Sequence, residues 1–252
     1  MNHPGILSKV RVVLSHTTHP GNIGAAARAM KTMGLEHLYL INPSRFPDKQ
    51  ADAMAAGADD VLRNAVICGS IDEALQGTVF VAAMTARLRD ISLEVLTPRA
   101  AMPQLAQHAV HHPVALLFGT EMAGLTNEEV GKSHILVRIP ANPAYSSLNL
   151  AAAVQVVCYE LSVALQYAGL NWRQIEIEPA RHEEVEGFYR HLEEVLQEIG
   201  FFNSKQPNKL MQKLRRLYAR ARLEQEEVNI LRGILSATTY AQTKREPQDK
   251  GK

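Results

Sequence analysis

The chain has 252 residues, 46% of them hydrophobic, which suits one large domain or one domain with a small companion and supplies a true core. Its net charge of +1 excludes a uniformly charged partner-binding coat, so a case for nucleic acid must rest on how charge is distributed. Cys68 and Cys158 both sit in apolar surroundings and are expected as buried free thiols, not a disulfide framework.

Met1 to Val10 lacks a basic start followed by an apolar run, so no signal peptide is expected there. Contiguous apolar runs predict strands at Val10–Ser15, Leu38–Ile41, Val66–Cys68, Val79–Met84, Val114–Phe118 and Ile135–Ile139. Runs that do not alternate indicate strands covered on both faces, as in a parallel sheet. Helical patterns separate them, at Ile23–Met33, Ala51–Leu62 and Met102–His108, and the βαβα order predicts a doubly wound α/β domain. Asn149–Tyr167 closes that domain with a long, nearly uncharged helix. Its apolar stretch Leu148–Leu165 contains Gln155, Glu160 and Ser162 and is short for a bilayer. It is expected to be buried inside the protein or at a subunit contact, and the protein to be cytoplasmic.

The composition then changes. Gln174–Glu198 carries eight glutamates against two arginines, and Gly200-Phe201-Phe202 is a helix stop. Asn203–Arg222 carries seven basic residues and no acid: Lys205, Lys209, Lys213, Arg215, Arg216, Arg220 and Arg222. Leu210, Leu214, Leu217 and Tyr218 recur through it at helical spacing, and Glu224–Ala241 is helical again. The predicted organisation is an α/β domain over 1–170, a linker over 171–181, a small all-α domain of three helices over 182–243, and a disordered polar tail over 244–252.

Three segments can carry chemistry. His19-Pro20-Gly21-Asn22-Ile23-Gly24-Ala25-Ala26-Ala27-Arg28 follows a strand and opens a helix, with Asn22 as a candidate N-cap. Arg28, six residues on, leaves the helix about 120° from Asn22. Leu117-Phe118-Gly119-Thr120-Glu121-Met122-Ala123-Gly124-Leu125 places a glutamate between two turn glycines at a strand end, where α/β sheets bind ligands. It leads into the capping sequence Thr126-Asn127-Glu128-Glu129. Ile139 to Leu150 is stiffened by Pro140 and Pro143, and Ser146 or Ser147 can cap the helix that follows. Asn149, at the entrance of so apolar a helix, needs a polar partner. Each segment alone also reads as ordinary capping or a solvated turn. No nucleophile elbow surrounds Ser146 and Ser147, His108, His111 and His112 lack further ligands at metal spacing, and no Walker-type loop occurs.

Together the three segments resemble the SPOUT methyltransferases, in the branch that methylates RNA ribose. Asn22, Gly24 and Arg28 match its first motif; Phe118, Gly119, Glu121, Gly124 and Leu125 its second; Ile139, Pro140, Ser147, Leu148, Asn149 and Ala152 its third. "GNIGAAARAMKTMGLEHLYLINP", "GLTNEE", "ANPAYSSLNLAAAVQVVCYEL" and "NKLMQKLRRLYARARLEQEEVNILRGIL" extend the likeness to the TrmJ-type subfamily, which acts on the ribose of nucleotide 32 (cytidine or uridine) in the tRNA anticodon loop. The resemblance implies a parallel sheet with a deep C-terminal trefoil knot, and a homodimer with the active site at the subunit interface. It implies S-adenosyl-L-methionine as cofactor, held by Met84, Thr85, Ala86, Gly119, Ile139, Ser146, Ser147 and Leu148. It makes Arg28 the key catalytic residue, with Ser147, Asn22, Glu121 and Asn149 orienting it and the ribose. The basic helix Lys205–Arg222 would hold tRNA phosphates. Competing readings are methylation of another structured RNA site, a base methyltransferase, and a non-catalytic RNA-binding module.

Overall fold

A computed structural model describes residues 4–86, 93–167, 178–202 and 207–243. They form two compact units, divided between Gln174 and Ile175. In chain order the first unit runs α1 (Pro4–Leu7), β1 (Val10–Ser15), α2 (Pro20–Thr32), β2 (His37–Ile41), α3 (Lys49–Ala55), α4 (Asp59–Arg63), β3 (Val66–Cys68), α5 (Ile71–Leu75) and β4 (Phe80–Met84). It continues with β5 (Val95–Leu96), α6 (Pro98–Ala109), β6 (Val114–Phe118), α7 (Asn127–Gly131), β7 (Ile135–Val137) and α8 (Leu150–Tyr167).

Among the described residues the strands make one seven-stranded sheet, ordered β3-β2-β1-β6-β4-β7-β5, and every pairing is parallel. The apolar runs explain this directly. β6 is buried at every position, and β1 at all but Arg11, because helices cover both faces. The edge strand β3 instead leaves Val66 and Ile67 exposed. Both thiols are buried and free, and desolvation pushes Cys158 up to about 12.

The expected strands and helices recur, with differences; α6 begins at Pro98, behind the Thr97 cap, four residues before the expected Met102. The helix expected over Ala51–Leu62 is two, α3 and α4, because Ala56 and Gly57 both take positive φ between them. Strand β7 stops at Val137, short of Ile139. The two-residue β5 and the short α1 and α5 carry too little periodicity to have been read. Asn22 is not the N-cap of α2: His19 takes that place, with Pro20 at the first helical position and Asn22 already inside the first turn.

The second unit is three helices, α9 (His182–Glu198), α10 (Pro207–Ala221) and α11 (Gln225–Thr243), around Ala180, Phe188, Tyr189, Leu192, Met211 and Val228. Gly200, at φ 68°, ends α9 at the expected stop. The end of the expected linker belongs to this unit, since Ala180 donates to the Leu223 carbonyl and Pro179 bridges Glu224. The rest of the linker up to 177, Lys205 and the tail 244–252 lie outside the described residues. Among the described residues no helix is long and apolar enough to cross a membrane.

Candidate active site

Parallel strands β1, β4, β6 and β7 deliver the ends of their connections to one edge of the sheet. The turn after β1 leads into α2, the turn after β6 carries Glu121, and the loop after β7 leads into α8. Glu129 fixes the second of these. It closes a capping box with Thr126 and accepts a hydrogen bond from Ser15 at the end of β1.

Glu121 joins the three segments. Its Oε2 accepts from the Thr18 amide at 3.1 Å and the Thr18 hydroxyl at 2.9 Å, and its Oε1 from the His19 amide at 3.2 Å and Asn22 Nδ2 at 3.0 Å. Asn149 Nδ2 donates to Asn22 Oδ1 at 2.9 Å, while Asn149 Oδ1 accepts from the Ala151 amide at 2.9 Å. Asn149 therefore caps α8, the task expected of Ser146 or Ser147. The string has one polarity only. A helix amide can bond only the oxygen of Asn149, so its nitrogen must face Asn22, and the nitrogen of Asn22 must face the carboxylate. Both amides are locked.

Partial burial works to raise the pKa of Glu121, but the bonds from Asn22, Thr18 and His19 outweigh it and hold it at about 2. Because the folded value lies below the ordinary 4.5, the stabilisation is complete above pH 4.5 and is lost as pH falls toward 2. A nuclear magnetic resonance titration of the Glu121 carboxyl carbon is expected to show a midpoint near 2. A midpoint at the ordinary value of 4.5 would contradict the string.

A cavity of about 290 Å³ adjoins Glu121, the one charged side chain among the described residues lining it. Met84, Thr85 and Ala86 at the end of β4, Gly119 after β6, Ile139 beyond β7, and Ser146, Ser147 and Leu148 before α8 all line it. These are the eight positions the resemblance assigned to a cofactor. Phe118, a residue of the second motif, lines it too, as do Thr120, Val137 and Leu150, to which no motif letter pointed. Gly119 is obligatory there, because a Cβ would overlap the Gly124 carbonyl and the Leu125 nitrogen across the turn.

Arg28 lies apart from this cavity. It is exposed on α2, lines none of the hollows described, and makes no hydrogen bond or ion pair with the described residues. Thr18 was missed by sequence reasoning. A hydroxyl one residue before the cap is too common to signal a role.

In the helical unit, Lys209, Lys213, Arg216 and Arg220 fall at i, i+4, i+7 and i+11 and form one basic stripe along α10. Arg215 points elsewhere. It makes two bonds to the Glu186 carboxylate, at 2.5 and 2.8 Å, and stacks 4.3 Å from the Tyr189 ring centre.

Residues 9–159 match the family described as "SpoU rRNA Methylase family". The chain belongs to the SpoU methylase family. Its residues 183–249 match the C-terminal domain of tRNA methyltransferase TrmJ. A relative from Pectobacterium atrosepticum, named tRNA (cytidine/uridine-2'-O-)-methyltransferase TrmJ, is 50% identical over 92% of this chain and 97% of its own length. The crystal structure of TrmJ from Z. mobilis ZM4 is similar with a TM-score of 0.80 at 35% identity, covering 91% of this chain and 98% of that one. The SpoU methyltransferase AviRb of Streptomyces viridochromogenes, solved in complex with the cofactor AdoMet, shares the fold at 24% identity and a TM-score of 0.50, over 63% of this chain and 61% of its own. For a SpoU methylase the edge just described, with its cavity and hydrogen-bonded string, is the place where chemistry is expected.

Proposed function

We propose that this SpoU methylase transfers a methyl group from S-adenosylmethionine to the ribose 2'-hydroxyl of nucleotide 32, cytidine or uridine, in the tRNA anticodon loop. The observation that carries the proposal is the Asn149–Asn22–Glu121 string, which meets the cavity at Glu121. It brings one polar residue from each of the three motifs to one point. The name and near-complete coverage of the Pectobacterium atrosepticum relative support the reaction. The cavity also fits the cofactor chemically. Ile139 and Leu148 offer apolar walls to a flat adenine, and the Glu121 carboxylate favours a cationic ligand such as a sulfonium. When bound, that group supplies an already electrophilic methyl.

The protein's own part is to orient and activate the ribose oxygen. Asn22 and Asn149, locked by Glu121 and by the end of α8, present fixed dipoles beside the cavity. Ser147, in the cavity lining, adds a rotatable hydroxyl. Arg28 stabilises negative charge on the 2'-oxygen as the hydroxyl proton passes to solvent water, and holds a neighbouring phosphate. A guanidinium serves poorly as the base, since it almost never gives up its proton.

The position of Arg28, exposed and away from its own cavity, supports a homodimer in which it completes the partner's site. The solvent side of α8 supports the same reading: Ala152 and Tyr159 are exposed and Val156 and Val163 half-buried, an uncharged stripe. The sheet order, with β7 inserted between β4 and β5, supports the knotted C-terminal part that the family resemblance implies.

The deciding experiment incubates the purified protein with S-adenosylmethionine and tRNA and maps the product by mass spectrometry. A 2'-O-methylnucleoside at position 32 is the expected result, and a methylated base would overturn the reading. The basic stripe gives a second expectation. Replacing Lys209, Lys213 and Arg220 with alanine should weaken tRNA binding and reduce the slope of its salt dependence by roughly 0.7–0.9 for each phosphate no longer neutralised. Arg215→Ala should instead lower the melting temperature of the helical unit, because Glu186 and Tyr189 lose their partner. Titrations at several salt concentrations and calorimetry check the pair.

A further inference from the structure

A second hollow adjoins the string. It is an open groove lined by His19, Gly21, Asn22, Gln50, Met54 and Asn149. Asn22 and Asn149 belong to the groove, while Glu121, bonded to Asn22 at 3.0 Å, belongs to the cavity. The locked string is thus the divide between the two hollows. A ribose held at the string, with its 2'-oxygen toward the cavity, sends its base into the groove.

Two side chains of α3 equip the groove for a base. Met54 is 48% exposed, one helical turn beyond Gln50 and on the same face. Its polarisable thioether suits contact with a flat ring. Gln50 is exposed; its backbone N–H donates to Asp48 Oδ1, and its side-chain amide makes no hydrogen bond with the described residues. It rests against Gly21, where an added Cβ would come within 3.3 Å of its Nε2.

This amide differs from its neighbours in one respect. Asn22 and Asn149 can point only one way, whereas Gln50 can turn over. The pairing edge of cytosine offers an N4–H donor beside the N3 acceptor. That of uracil offers the O4 acceptor beside an N3–H donor. The two patterns are reversed, and an amide carries one donor side and one acceptor side. A glutamine free to flip answers both, and a locked one would answer only one.

We propose that Gln50, packed beside Met54, reads the pairing edge of the target pyrimidine, and that its freedom to flip admits both cytidine and uridine. The inference rests on the ribose methylation proposed above. The test uses the full-length protein and two tRNA transcripts that differ only in cytidine or uridine at the target position. Mass spectrometry counts the 2'-O-methylcytidine and 2'-O-methyluridine formed, and calorimetry follows S-adenosylmethionine binding.

Gln50→Met keeps the length and removes the polar edge. Its kcat/KM should fall by about tenfold or more on both transcripts, with cofactor affinity unchanged. Gln50→Glu can only accept, so it meets the N4–H of cytosine or the N3–H of uracil but faces the acceptor beside either with a second oxygen, and kcat/KM should fall by about tenfold on both transcripts. A third measurement needs no variant. Wild-type protein should lose a similar factor on a transcript carrying 3-methyluridine, whose N3–H is blocked. Wild-type efficiency for Gln50→Glu or Gln50→Met, or full turnover of 3-methyluridine, would overturn the inference alone. A wild-type protein that makes no 2'-O-methylnucleoside overturns the function and the inference together.

Discussion

Arg28→Ala is expected to cut the turnover of methyl transfer by about 10²–10³-fold while leaving S-adenosylmethionine affinity unchanged. The expectation follows from where the side chain is. Arg28 is exposed and contributes nothing to the cavity lining or the string, so its loss removes neither cofactor-binding groups nor packing. What it removes is a cation able to meet charge on the ribose oxygen, an interaction made chiefly in the transition state. Arg28→Lys separates charge from shape. A lysine keeps the charge but loses the planar fork, so most of the loss should remain, and near-full turnover would refute a guanidinium role.

The dimer adds a sharper test. Ser147→Trp places a bulky ring at an exposed position of the cavity lining and should block the cofactor. Either variant alone is then inactive. If Arg28 serves the partner's cavity, a mixed dimer carries both defects in one site and leaves the other intact. Random mixing should restore about a quarter of wild-type activity. If each chain serves its own cavity, mixing restores nothing.

The sheet was the most legible part of the fold. Strands buried on both faces must be apolar throughout, so β1, β2, β4 and β6 announce themselves as short unbroken runs. Boundaries within helices were less so. Apolar residues continue at helical spacing from Ala51 to Leu62, so periodicity cannot see the break. The signal was Gly57, whose φ of 92° a β-carbon would penalise. Pro20 likewise marked the true start of α2, and the attraction of Asn22 as a cap concealed it.

The site divides the same way. Its members were legible as polar residues in costly places, above all Asn149 at the mouth of an apolar helix. Their partners were not. Glu121 and Asn22 are 99 residues apart, and their bond depends on β1 and β6 lying side by side in the sheet. Local pattern cannot fix that order. The basic run shows the converse limit. Seven like charges suggested one uniform phosphate-binding surface, yet Arg215 is turned inward to Glu186 and Tyr189.

Gly24→Ala should be among the most destabilising single-atom changes in the first unit, although alanine is the better helix former. Propensity alone favours the alanine by about 0.8–1 kcal/mol. Packing reverses this. A Cβ at Gly24 would fall onto the carbonyl of Ala51, because α2 and α3 cross there with backbone against backbone. A backbone carbonyl cannot rotate away as a side chain can, so one helix must move, at a cost of roughly 1–3 kcal/mol or more. For a protein of this size that lowers the melting temperature by several degrees. Gln50 and Met54 lie on α3 and Gly21 and Asn22 on α2, so displacement of either helix changes the shape of the groove.

Gly21→Ala is the control. Its Cβ would meet only the amide of Gln50 at 3.3 Å, the far end of an exposed side chain that can swing aside. Stability should stay within about 0.5 kcal/mol of wild type or improve. Thermal melts of the two variants therefore separate the two glycines. If Gly24→Ala melts with or above wild type while Gly21→Ala does not, the close crossing of α2 and α3 is wrong, and the first motif glycine serves a ligand directly instead of the helix that frames the site.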